Sequence, residues 1–160
     1  MKKQNVIIVG GGTAGWMCAA ALSKLIGNRL NITLVESEQI GTIGVGEATV
    51  PTFLTLHRLL KIDEADFLSK VQGTIKLGIS FENWRQIGHQ YIHSFGFTGQ
   101  GCWAAGFQHF WLKGKQLGLS EDYGDYTPEL KAAKENKFGF LKEAPLHYAY
   151  HIDAGRYATF

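Results

Sequence analysis

A short apolar run, Val6-Ile7-Ile8-Val9, is broken at once by Gly10-Gly11-Gly12-Thr13-Ala14-Gly15. A continuous apolar run of this kind suits a central parallel strand covered on both faces. From Trp16 to Ile26 the residues favour helix, and Gly27-Asn28 stops it. Leu22, Leu25 and Ile26, with Cys18 one turn earlier, share a side and are expected to cover the sheet. Asn31-Ile32-Thr33-Leu34-Val35-Glu36 supplies a second strand, completing a βαβ start.

The glycine spacing Gly10-x-Gly12-x-x-Gly15 gives each glycine a mechanical task. Gly10 makes the tight turn, Gly12 lets a diphosphate approach the backbone, and Gly15 lets the helix pack closely on the strand. The helix N-terminus then aims unpaired N–H groups and its positive dipole end at the anion. Glu36 closes the second strand, where a carboxylate accepts hydrogen bonds from a ribose diol and disfavours a 2′-phosphate. The motif by itself leaves FAD and NAD both open. A second glycine cluster, Gly41-Thr42-Ile43-Gly44-Val45-Gly46-Glu47-Ala48-Thr49-Val50-Pro51, adds another close backbone approach and favours the longer flavin.

Further along, residues 38–51 read as loop, Thr52 to Leu60 as helix, and Asp63 to Val71 as a second helix capped by Asp63. Thr74 to Trp84 alternates as one strand, with Ile75, Leu77, Ile79 and Phe81 on one face and Thr74, Lys76, Gly78 and Ser80 on the other. On the polar face of a strand, Lys76 by itself reads as solvated. Residues 91–111 are rich in aromatics and glycine without a dominant period, and Trp103, Phe107, Phe110 and Trp111 read as core. Thr127-Pro128 opens a short helix with Thr127 as cap, and Lys131, Lys134 and Lys137 form a solvated face. Asp153 to Phe160 reads as a capped helix just beginning, which predicts a truncated chain.

Composition removes several classes of function. A formal charge of +2 with no Lys/Arg run excludes a nucleic-acid binder. No stretch approaches the ~20 apolar residues of a membrane span. Cys18 and Cys102 make neither a disulfide framework nor a metal motif, and the six histidines show no ligating spacing, so no metal is expected. A reducing cytoplasm is the expected location.

Several segments go beyond a generic dinucleotide motif. They are Gly10 to Trp16, Gly44-Val45-Gly46-Glu47-Ala48-Thr49-Val50-Pro51, and Lys76 within Thr74 to Trp84. Tyr91 to Gly96, Gln108 to Leu112 and Tyr150 to Gly155 extend the match along the chain. Together they closely resemble the flavin-dependent tryptophan halogenases. The resemblance implies an α/β, Rossmann-like FAD-binding domain of the glutathione-reductase type, of which residues 1–160 are the truncated N-terminal part, inactive alone. In that family reduced FAD and O₂ oxidise chloride or bromide to hypohalous acid, which travels to a lysine and then halogenates an electron-rich aromatic such as an indole or tryptophan.

Carried onto this sequence, the lysine is Lys76. The cofactor-binding residues are Gly10, Gly12, Thr13, Ala14, Gly15, Glu36, Gly46, Glu47, Ala48 and Thr49, with residues 44–51 lying along the flavin. His93 and Phe95 match positions that stack on the substrate ring. FADH₂ from a separate flavin reductase, O₂, halide and a small aromatic are the implied partners, and a homodimer is compatible with the pattern. An ammonium at Lys76 would polarise an O–Cl bond; a neutral amine would capture chlorine as a chloramine. Both routes stay open. The family's Trp-x-Trp-x-Ile-Pro motif and the glutamate partnering the lysine have no counterpart in these residues, and the connection from Trp84 to His93 is short. An FAD-dependent hydroxylating monooxygenase and a non-catalytic flavin-binding module are the competing readings.

Overall fold

The computed structural model describes residues 2–40, 45–140, 142–143 and 145–160. In chain order the elements are β1 (Gln4–Val9), α1 (Thr13–Ile26), β2 (Leu30–Val35), β3 (Gly46–Ala48), α2 (Thr52–Leu60) and α3 (Glu64–Val71). Then follow β4 (Thr74–Lys76), β5 (Gly78–Glu82), β6 (Gln90–Ser94), α4 (Phe107–Gln116), α5 (Pro128–Lys134), β7 (Ala149–Asp153) and α6 (Ala154–Thr159). The chain divides into two compact units: residues 1–74 with 149–160, and residues 75–148.

The first unit contains the βαβ start. β1 and β2 pair in parallel, with Val6 opposite Ile32 and Ile8 opposite Leu34. α1 begins three residues earlier than expected and ends where Gly27 turns to φ 61°. Two expectations are corrected here. Ile7 and Val9 are 68% and 84% exposed, so among the described residues β1 has one covered face rather than two. The covering stripe of α1 also differs. Gly15 sits on the Gly10 carbonyl and Ile8, which sets the helix phase so that Gly15, Ala19 and Leu22 are half-buried. Cys18, Leu25 and Ile26 are exposed instead.

α2 has the residue range expected from the sequence, and α3 is capped by Asp63, whose Oδ1 accepts the Asp66 N–H at 2.8 Å. A further cap at Asp153 starts α6, accepting the Arg156 N–H at 2.9 Å. The core of this unit is aromatic. Phe53, His57, Phe67, Tyr150 and Tyr157 meet with His57 4.4 Å from both phenylalanine centroids. Edge and tilted contacts of this kind add to the burial of apolar area.

His57 is 5% exposed and shares a 3.2 Å hydrogen bond with the Tyr157 hydroxyl. Burial, partly offset by Glu64, lowers its pKa from 6.5 to about 4, and burial pushes Tyr157 up to about 12. The folded chain therefore leaves His57 neutral where the unfolded chain protonates it. Its stability contribution is complete above pH 6.5 and is lost as pH falls from 6.5 to about 4. We expect the native protein to lose on the order of 3 kcal/mol relative to a His57→Met variant across that window. Denaturation curves of both proteins measured side by side at pH 7, 5.5 and 4 would show it; a stability difference that does not change with pH would contradict it.

The second unit is built on a hairpin. β5 and β6 are antiparallel, with Gly78 opposite Ser94, Ile79 opposite His93 and Phe81 opposite Tyr91. The single strand expected from Thr74 to Trp84 is broken at Leu77 into β4 and β5, and β6 arises in the aromatic-rich stretch that carried no period. Phe107 and Trp111, one turn apart on α4, are half-buried against Tyr126 and Tyr123. Phe110 points off that face and is half-exposed, and Trp103 is 99% exposed, so neither is core. Thr127 stands at the N-cap position of α5, but its hydroxyl bonds Thr98 at 3.1 Å instead of capping the helix. Lys131, Lys134 and Lys137 are exposed, as expected.

Candidate functional site

In the first unit the glycine loop joins the ends of both parallel strands. Gly10, at φ 117°, turns the chain out of β1 and donates its N–H to the Val35 carbonyl at 2.8 Å. A side chain is strained at that angle, which is why glycine is needed. Gly12 is the extended N-cap of α1, with no side-chain cap and no acidic residue in the first turn. The first N–H groups and the dipole end are thus left for an anion. A methyl added at Gly12 meets nothing within 4 Å, whereas one added at Gly15 would overlap the Gly10 carbonyl oxygen. One glycine keeps a cradle open and the other lets the helix dock.

The sequence did not single out Gly11. A Cβ there would overlap the Glu36 carboxylate, so Glu36 folds back over the loop it follows. A hollow of about 560 Å³ lies beside this carboxylate, bounded by Gly11, Trp16, Glu36, Ala158, Thr159 and Phe160. Open backbone at Gly12, an uncapped helix start and an acid at the strand end fit a dinucleotide whose ribose diol meets Glu36.

After Val45, in a stretch expected as loop, the chain forms a short strand. β3 pairs antiparallel with β7, placing Gly46, Glu47 and Ala48 opposite Asp153, Ile152 and His151, all three of the β3 residues exposed. Thr49 ends it differently. Its N–H donates to the Tyr150 carbonyl at 2.8 Å, its hydroxyl donates to the same carbonyl at 3.1 Å, and the Tyr150 N–H donates back to that hydroxyl at 2.9 Å. Thr49 therefore anchors the segment to β7. Gly41 to Gly44 lie outside the described residues.

In the second unit Lys76 is 8% exposed, which overturns its placement on a solvated strand face. The break at Leu77 is the reason: the alternation of Thr74 to Trp84 spans two strands, and Lys76 ends the first of them. Burial lowers its pKa from the ordinary 10.5. Its Nζ lies 5.3 Å from the Phe95 ring centroid. The ring is held there because the Phe95 N–H donates to the Leu77 carbonyl at 2.9 Å. A desolvated amine over an aromatic face is a cation–π geometry when charged. His93, two residues earlier in β6, is exposed. The structure thus brings Lys76 and Phe95 together and leaves His93 on the surface of its unit. Among the described residues no group of three or more His, Cys, Asp or Glu side chains is placed to hold a metal ion, and no helix is long and apolar enough to cross a membrane.

The description "Tryptophan halogenase" belongs to a family model that matches residues 5–160. The chain belongs to that family. It is 31% identical to tryptophan 7-halogenase RebH of Lentzea aerocolonigenes, over 99% of this chain and 33% of RebH. It superposes on Xcc4156, a flavin-dependent halogenase from Xanthomonas campestris, with a TM-score of 0.93 and 59% identity, covering 100% of this chain and 32% of that one. BrvH, a flavin-dependent halogenase from Brevundimonas sp. BAL3, gives a TM-score of 0.86 at 38% identity, over 99% and 32% of the two chains. The α/β, Rossmann-like fold is shared with these structures, and the chain spans about a third of the length of each relative. For a tryptophan halogenase family member, the buried lysine beside Phe95 is the feature of this chain that most needs a chemical explanation.

Proposed function

We propose that this chain supplies the FAD-binding portion, with the reactive lysine, of a cytoplasmic enzyme that halogenates an electron-rich aromatic such as an indole. The observation that carries this reading is Lys76, withdrawn from water with its Nζ over the face of Phe95. A flavoprotein that merely stored or passed electrons has no use for a desolvated amine at an aromatic surface.

Bound FAD, reduced by a separate flavin reductase, supplies the O₂-dependent oxidation of chloride or bromide to hypohalous acid. Gly10, Gly12, Thr13, Ala14 and Gly15 present backbone to its diphosphate, and Glu36 meets its ribose diol. Gly46, Glu47 and Ala48, anchored to β7 through Thr49, would help to hold it. Lys76 then holds or relays the oxidised halogen. Burial favours the neutral amine, while an approaching anion or oxidant favours the ammonium, and either form needs the surrounding low dielectric. Phe95 presents aromatic surface to the substrate ring and keeps water away from a reactive oxidant, and the exposed His93 is the second stacking candidate.

The test uses the complete protein with FAD, a flavin reductase, bromide and indole in air, with products identified by mass spectrometry. A brominated indole is the expected result. A hydroxylated indole would identify a monooxygenase instead. Tight FAD binding without any oxygen-dependent product would mark a binding module.

A further inference from the structure

We infer that Glu129 is a positioning residue that fixes the Phe95 ring for the aromatic substrate, an inference that rests on the functional reading above. Glu129 is 3% exposed although it lies in the first turn of a short helix, where an acid is ordinarily solvated. Its Oε1 accepts the backbone N–H of His147 at 2.8 Å and lies 3.2 Å from that residue's Nδ1. Its Oε2 is buried with no hydrogen-bond partner among the described residues. Burying a carboxylate oxygen without a donor is costly, so the placement needs a reason.

The reason lies at Gly96. A Cβ there would overlap the Glu129 carboxylate, so Gly96, the residue after Phe95, rests directly on this group. The neighbouring residues are seamed to the same region. Thr98 and Thr127 share a 3.1 Å hydrogen bond, and the Gly99 N–H donates to the Tyr126 carbonyl at 2.9 Å. The Phe97 ring meets His147 edge-on, with centroids 5.3 Å apart. Phe95 is therefore tied ahead to Leu77 and behind to a carboxylate that His147 holds still. Neither Glu129 nor His147 need touch a substrate for this to matter. A ring displaced by a fraction of an ångström no longer presents the substrate carbon to the oxidant.

Glu129→Gln retains the shape and one acceptor but removes the charge and turns the other position into an amide donor pressed against Gly96. In the complete protein this variant is expected to raise KM for indole roughly tenfold and to broaden the ratio of halogenated isomers. FADH₂ oxidation by O₂ should stay unchanged. His147→Ala, which removes the ring donor and keeps the backbone one, should raise KM by about two- to threefold. If Glu129→Gln lowers the melting temperature but its folded fraction keeps the native KM and isomer ratio, the role is structural and the inference is overturned. Should Glu129→Gln not fold, an unchanged KM in His147→Ala overturns it in the same way. Absence of product from the unsubstituted enzyme would count against the proposed function, and a fluorescence titration with indole still decides this inference: equal affinity for native and variant overturns it.

Discussion

Replacement of Lys76 by alanine in the complete protein is expected to cut halogenated product by about 10²–10⁴-fold, the range typical of a group that transfers or stabilises charge at the reacting atoms. Oxidation of FADH₂ by O₂ should continue at the native rate, because the glycine loop and Glu36 belong to a different unit from the amine. The two readouts separate a defect in halogen transfer from a defect in cofactor handling. Lys76→Arg is expected to fare little better than alanine. A guanidinium is always charged and planar, is bulkier than the amine that lies 5.3 Å from the Phe95 ring centroid, and cannot become a neutral nucleophile. Product chromatography beside stopped-flow absorbance of the flavin measures both. Native product yield from Lys76→Ala would remove the lysine from the mechanism and with it the case for halogenation over simple flavin chemistry.

The second large effect is a contrast between two glycines three positions apart. Gly15→Ala places a methyl on the Gly10 carbonyl oxygen, a backbone atom that cannot yield without distorting the end of β1. Overpacking of this kind costs about 1–3 kcal/mol. Taken out of FAD affinity, that is roughly a five- to 150-fold loss, accompanied by a lower melting temperature. Gly12→Ala should behave differently. The protein around Gly12 is open, with nothing within 4 Å of the added methyl, so the apo protein should melt as before. FAD binding should nevertheless weaken, since the methyl occupies the approach used by the diphosphate. Differential scanning fluorimetry with and without FAD distinguishes the pair. Undiminished FAD binding by Gly12→Ala would show that the diphosphate does not lie against this loop.

Much of the first unit was legible because its signals are local. A glycine that turns at positive φ, an aspartate that caps a helix three residues on, and a run of β-branched residues are each decided within one turn of chain. The turn at Gly10, the close packing at Gly15 and the caps at Asp63 and Asp153 are as the sequence implies. The exposure of Ile7 and Val9 was not legible, because an apolar strand looks the same whether one face or two are covered. The strand pattern alone puts Lys76 in solvent, for a related reason. Alternation with a period of two runs unbroken through Leu77, although the backbone divides there, and burial of one side chain does not follow from its neighbours' pattern. Glu129 gave no signal at all. An acid in the first turn after proline is a common surface feature, and its burial depends on Gly96 and His147, which are remote in sequence.

The aromatic cluster around His57 joins residues 53–67 to residues 150–157, and the whole second unit intervenes. The equilibrium cost of such an excursion is modest, because each doubling of an intervening loop adds only about 0.6 kcal/mol. Its effect on timing is greater. During synthesis Phe53, His57 and Phe67 leave the ribosome with no Tyr150 or Tyr157 to meet, and they stay wet until residues 75–148 have followed them out. The glycine loop and its two parallel strands can assemble early, but the aromatic cluster closes only once Tyr150 and Tyr157 have been made, so a nascent chain stalled before Tyr150 would expose Phe53, His57 and Phe67 to chaperones.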